Sequence, residues 1–70
     1  MMPISLLNIG EQAIIKRIGG KGEVRQHLQD LGFIAGEKVS VVSRLSDNLI
    51  VNVKETRIAI DEKIAKNIFV

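Results

Sequence analysis

The sequence has no cysteine, tryptophan or tyrosine, and only one histidine, one proline and two phenylalanines among its 70 residues. Without cysteine, neither a disulfide nor a thiolate metal site can stabilise the fold. One histidine, no thiol nucleophile and no recognisable carboxylate pair leave little for general acid–base or covalent catalysis. Two aromatic residues are also too few for the groove that binds proline-rich peptides. These absences predict a domain that is not an enzyme and carries no cofactor.

Long hydrophobic runs are missing as well. No stretch approaches the roughly 18 apolar residues needed to span a membrane. The segment Met1–Leu7 contains no basic residue, and its apolar run is too short for a signal peptide. Both features predict a cytoplasmic location.

The length and composition predict a single small domain, residues 1–70. Hydrophobic residues make up 46% of the chain, so its core must be built mainly from Ile, Val and Leu. A domain of this size without disulfides depends on an efficient core, on self-association or on a partner. The net charge of +2 is too small to indicate a polyanionic partner.

The hydrophobic period changes sharply in the middle of the chain. Apolar residues recur at helical spacing within Glu23–Leu31 and at every second position within Lys38–Arg44. Gly32 lies where the period changes, and glycine at this position can adopt the left-handed conformation that ends a helix. Phe33 is then expected to cover the last helical turn, and Gly36 to form the turn into the strand.

The remaining apolar segments predict a mainly β fold. Asp61 is expected to cap a short helical segment through Lys66, and Gly19–Gly22 is too rich in glycine for a regular element. Short strands at tight spacing predict a small β-barrel with one short α-helix and a helical turn near the carboxyl terminus. The five predicted strands are Ala13–Ile18, Lys38–Arg44, Leu49–Val53, Arg57–Ile60 and Ile68–Val70.

Strand parity predicts a register for the last hairpin. Pairing Val53 with Ile58 and Val51 with Ile60 places apolar side chains together on one face. This pairing leaves Glu55 and Thr56 as a two-residue turn. Such turns require positive φ, which glycine and asparagine adopt most readily, so Glu55 is expected to be mildly strained.

The preceding hairpin predicts one buried and one outward row. Val41 is expected to point into the barrel opposite Val51. Val42 and Ile50 are expected to face each other on the outer surface, joined through the loop of residues 45–47. An outward apolar pair is a candidate partner-binding surface, and Val42 and Ile50 are the residues that we assign to it.

The run Leu-Gly-Phe-x-x-Gly-x-x-Val-x-Val at residues 31–41, followed by Ile50–Val53 and Arg57–Ile60, resembles the ferrous iron transport protein A (FeoA) family. The resemblance covers nearly the whole chain. It implies an SH3-like β-barrel without enzymatic activity, which serves a membrane ferrous-iron transporter at the inner face of the membrane. The implied partner is the GTP-binding cytoplasmic part of a FeoB-like membrane GTPase. The family usually has glycine at the position of Glu55.

Three residues of the predicted helix have types and spacing that a divalent metal can use. Glu23, His27 and Asp30 lie at i, i+4 and i+7, so an imidazole and two carboxylates share one helix stripe. His27 also borders the apolar face, where a histidine is usually a solvated flank residue. Because the resemblance places no ligand at these positions, we expect no metal site.

A second class of function rests on basic residues. Lys16, Arg17, Lys21 and Arg25 gather near the first strand and the helix start, where they could contact phosphate. The alternative prediction is therefore a small nucleic-acid-binding barrel or, since the same domain is appended to some metal-dependent transcription regulators, a regulatory barrel. The missing aromatic stacking platforms and the low net charge weaken it, and no nucleic acid is expected as a partner.

Overall fold

The computed structural model describes residues 1–70 and has a mainly β architecture, as predicted. A four-stranded antiparallel sheet has the order β1-β3-β4-β5, and β2 pairs with β6 in a separate two-stranded ladder. A 3₁₀ turn at Ile4–Leu6 precedes the strands. The elements are β1 (Gln12–Ile14), β2 (Arg17–Ile18), α1 (Gly22–Asp30), β3 (Lys38–Leu45), β4 (Asn48–Val53), β5 (Thr56–Asp61), α2 (Glu62–Ala65) and β6 (Ile68–Phe69).

The prediction of one continuous strand over Ala13–Ile18 was wrong, because the chain changes sheets in the middle of this segment. At Ile15 the backbone bonds to the turn before β3: its N–H donates to the carbonyl of Glu37 at 2.9 Å. One residue later, the N–H of Lys16 donates to the carbonyl of Phe69 at 2.7 Å. The segment is therefore split between β1 and β2, and the predicted last strand pairs with β2.

The end of α1 confirms the predicted glycine stop. Gly32 has φ +107°, and its N–H donates to the carbonyl of Gln29 at 3.0 Å. The N–H of Phe33 donates to the carbonyl of Leu28, also at 3.0 Å. These two bonds form a Schellman motif, in which the residue after the glycine packs against the last turn. Leu28 and Phe33 are both fully buried.

The core is aliphatic apart from Phe33, as the composition required. Inward residues of β3 and β4 form its centre: Val39 pairs with Val53 and Val41 pairs with Val51, and all four are at most 1% exposed. The predicted inward position of Val41 opposite Val51 is confirmed. The fifteen buried core residues are Ile4, Leu7, Ile15, Ile18, Leu28, Phe33, Val39, Val41, Leu49, Val51, Val53, Ile60, Ala65, Ile68 and Val70.

The outer half of the β3–β4 hairpin differs from its prediction. Ile50 pairs with Ser43 and not with Val42, and the register shifts between Val41 and Ser43. Leu45 pairs with Asn48, so the loop has two residues instead of three. Its first residue, Ser46, adopts φ +55°. If the register of the Val41–Val51 pair continued unchanged, the loop would have three residues. A β-bulge at Val42 shifts the register by one residue and leaves a loop of two.

The β4–β5 register is also displaced from its prediction. Val53 pairs with Thr56 and Val51 with Ile58, so the turn consists of Lys54 and Glu55. Both turn residues have positive φ, +49° and +63°, as a type I′ hairpin requires. The displacement of two residues between the strands preserves parity, so every side chain keeps its predicted face. Asp61 caps α2 as predicted, its Oδ1 accepting from the N–H of Lys63 at 2.7 Å.

Glu55→Gly is expected to raise the thermal midpoint. A non-glycine residue in the left-handed region costs roughly 1–2 kcal/mol, and part of this gain is lost to the greater freedom of the unfolded chain. The control is Thr56→Gly, one residue further along in β5, where no positive φ exists to be relieved and the midpoint should fall. An unchanged or lower midpoint for Glu55→Gly, measured by circular dichroism, would contradict the strained turn.

Candidate partner-binding surface

The predicted metal candidates do not form a metal-binding cluster. Glu23, His27 and Asp30 are all exposed on α1, and a side-chain oxygen of Asp30 accepts a hydrogen bond from Gln26 at 2.9 Å. No group of three or more His, Cys, Asp or Glu side chains is arranged to hold a metal ion. The core also contains no buried polar or charged residue that a ligand could pair with.

The largest concavity is a groove of about 410 Å³ on the outer face of the main sheet. It is lined mostly by polar side chains from β1, β3 and β4 and from the Lys54–Glu55 turn. Gln12, Ser40 and Asn52 occupy adjacent register positions across its floor. The lining contains no histidine or cysteine.

The predicted partner residues lie beside each other, although not as a regular pair. Because of the bulge, Val42 and Ser43 both oppose Ile50. Ala59 opposes Ile50 from the other side, on β5. Val42 and Ile50 are half-buried, which leaves part of each side chain accessible on the outer face.

Sequence reasoning missed three more exposed apolar residues. Leu45, Leu6 and Ile9 are 63%, 65% and 61% exposed. Leu45 lies on the same outer face as Ile50, because it pairs with Asn48, two residues before Ile50 on β4. Strand parity alone would assign Leu45 to the inner face with Val39 and Val41, and only the bulge at Val42 turns it outward.

The first segment of the chain lies along β3 near these residues. A terminal nitrogen of Arg44 donates to the carbonyl oxygens of Ser5 and Leu7 at 2.8 and 2.7 Å, and the N–H of Gly10 donates to the carbonyl of Val41 at 2.8 Å. These contacts hold the segment Ser5–Leu7 against the side chain of Arg44, which lies on the opposite face of β3 from Leu45. No periodic signal in the sequence indicates this placement, because the segment contains only a 3₁₀ turn.

The basic residues remain a solvated rim. Lys16, Arg17, Lys21 and Arg25 are all exposed. The guanidinium of Arg17 lies 4.6 Å from the centre of the Phe69 ring, a cation–π contact within the chain. One of the four cations is therefore engaged in packing against β6.

His27→Ala is expected to leave Fe²⁺ and Zn²⁺ binding unchanged at background level, because the exposed helix stripe supplies no closed ligand set. Isothermal titration of each metal into both proteins would measure this. Micromolar binding that the substitution abolishes would contradict the expectation, and Gln26→Ala on the same helix serves as the matched control.

Neither α1 nor α2 has the length and hydrophobicity that a membrane-spanning helix needs.

Comparison with known proteins identifies solved structures with the same fold. The chain superposes on FeoA of Stenotrophomonas maltophilia in complex with zinc, described as a prokaryotic SH3 domain protein, with a TM-score of 0.88, 28% identity and coverage of 100% of this chain and 89% of that one. It also superposes on iron(II) transport protein A of Clostridium thermocellum, with a TM-score of 0.89, 29% identity and coverage of 96% and 43%. The predicted SH3-like barrel is confirmed.

The sequence comparisons point the same way. A fusion of Fe(2+) transport protein A with the Fe(2+) transporter FeoB from Porphyromonas gingivalis is 39% identical over 41 residues. The match spans 59% of this chain but only 5% of that relative. The family model of the FeoA domain matches residues 2–70. This chain therefore belongs to the FeoA domain family.

Proposed function

We propose that this chain is a small cytoplasmic accessory protein of ferrous iron uptake, which acts by binding the GTP-binding cytoplasmic part of a FeoB-type transporter. The observation that carries the proposal is the Porphyromonas gingivalis relative, in which a Fe(2+) transport protein A segment and FeoB share one polypeptide. Fusion holds two parts at a high effective concentration. A separate chain with the same role must supply its own binding surface.

The outer patch, defined as Val42, Leu45 and Ile50, is the surface that we assign to this contact. Its three apolar side chains are adjacent in the hairpin register and face away from the core. Interface centres are enriched in apolar side chains and depleted of charge, which favours this patch over the charged rim.

The regulatory alternative has weaker support. The fold also matches a manganese-dependent transcriptional repressor with a TM-score of 0.88, but at 14% identity this likeness concerns architecture alone. The basic rim has no stacking platform for bases, and Arg17 is engaged with Phe69. Nucleic-acid binding is therefore an outcome of the experiment below and not a second proposal.

Ile50→Lys is expected to retain the native circular dichroism spectrum and to weaken binding to the isolated cytoplasmic part of a FeoB-type transporter. A charge placed in an apolar interface centre should reduce the affinity by about tenfold or more, equivalent to at least ~1.4 kcal/mol. Calorimetric titration measures the affinity. Ile14→Lys is the matched control, since Ile14 is 48% exposed on β1 of the same sheet and lies outside the outer patch.

Val41→Lys tests the register on which this assignment depends. Val41 is 1% exposed, so a lysine there buries an unpaired charge and should unfold the domain. A folded Ile50→Lys protein that binds as tightly as the wild type would place the interface elsewhere. No binding by the wild type would contradict the proposed partner, and capture of RNA or DNA in its place would favour the alternative.

A further inference from the structure

Strand β5 forms an edge of the main sheet, with a neighbour, β4, on one side only. In the two-residue turn, the N–H of Thr56 faces the carbonyl of Val53, so Thr56, Ile58 and Ile60 bond to β4. Alternate residues of an antiparallel strand bond to opposite sides, so Arg57 and Ala59 direct their N–H and C=O groups away from the sheet. Asp61 continues this alternation with its N–H, whereas its carbonyl, as the N-cap of α2, accepts the first bond of that helix. The N–H of Asp61 and the backbone groups of Arg57 and Ala59 have no partner among the bonds of the turns and loops.

The side chains of the same three residues lie on the outer face and are exposed. The Nε of Arg57 lies 3.4 Å from the side-chain oxygen of Asn52, which leaves the two terminal nitrogens of its guanidinium free. Asp61 uses one carboxylate oxygen to cap α2 and retains the other. Neither charge has an ion pair within the chain, whose two salt bridges join other residues.

We propose that β5 pairs antiparallel with β5 of a second copy of this chain, around a two-fold axis at Ala59. In this register Arg57 faces Asp61 of the second copy, and Asp61 faces its Arg57. Ala59 faces Ala59 at the axis, where the small side chain permits close approach. The three facing pairs provide about four backbone hydrogen bonds: two between the Ala59 residues, and one in each Arg57–Asp61 pair from the N–H of Asp61 to the carbonyl of Arg57.

Charge and hydrogen bonding together select this register over its neighbours. A two-fold axis at Arg57 or at Asp61 would place like charges directly opposite each other, which is destabilising. Registers displaced by one pair leave one of the three outward-bonding residues unmatched. The edge is thus self-complementary, as an isologous interface requires, and this favours a second copy over an unrelated strand. The proposal is independent of the transporter partner.

Charge reversal tests the facing pairs. Arg57→Glu and Asp61→Lys should each weaken self-association by about tenfold or more, because each places two like-charge pairs at the interface. An equimolar mixture of the two variants should restore it, since both pairs then become attractive. Sedimentation equilibrium from about 10 μM to about 1 mM would measure the association.

Three further variants separate the interface from the fold. Arg25→Glu makes the same charge change on α1 and should leave association unchanged. Ala59→Pro removes an N–H that faces away from β4, a position where an edge strand tolerates proline, and should abolish pairing in a folded chain. Asp61→Asn removes the charge but keeps the α2 cap, because asparagine also caps helices. A loss of association in this variant is therefore not caused by a lost cap.

Dimerisation of the wild type that both charge variants lose and their mixture regains would support the proposed register. A wild type that stays monomeric up to about 1 mM would overturn the proposal. Dimerisation that survives the charge reversals, or that the mixture of variants does not restore, would overturn it equally.

Discussion

The pairing of β3 with β4 through inward valines is the contact on which the rest of the fold depends. These strands occupy the centre of the main sheet, and Val39, Val41, Val51 and Val53 are nearly inaccessible. Burial of one such side chain contributes about 1.5–3 kcal/mol, whereas a left-handed non-glycine residue costs roughly 1–2 kcal/mol. The free energy gained by burying the valines in this register therefore exceeds the conformational cost in the turns. Ser46, Lys54 and Glu55 all adopt positive φ, and the bulge at Val42 accommodates the shorter loop.

This hierarchy explains which parts of the fold the sequence could predict. The faces of β4, of β5 and of β3 up to Val42 follow from parity, and the end of α1 follows from the change of period at Gly32. The turn positions could not be predicted in the same way, because neither two-residue turn, Ser46–Asp47 or Lys54–Glu55, has the glycine or asparagine that usually marks such a turn. A two-residue displacement in β4–β5 leaves every side chain on the same face, so hydrophobic pattern alone cannot detect it.

The surface was only partly predictable for a related reason. Periodicity reports which side chains point inward, but it does not report what lies beside an outward residue. The sequence identified Val42 and Ile50, but it indicated neither the bulge that turns Leu45 to the outer face nor the hydrogen bonds from Arg44 to a segment about forty residues away in sequence. The open edge of β5 likewise depends on sheet order, which a list of strands does not specify.

An apolar outer patch on an SH3-like barrel is the physical basis of the proposed accessory role. The measurement that tests it most directly is an NMR titration of the isotope-labelled chain with the isolated cytoplasmic part of a FeoB-type transporter. Saturable shifts concentrated at Val42, Leu45 and Ile50, with the amides of α1 unaffected, are the predicted result. Shifts confined to Lys16, Arg17, Lys21 and Arg25, or no shifts at all, would contradict the account.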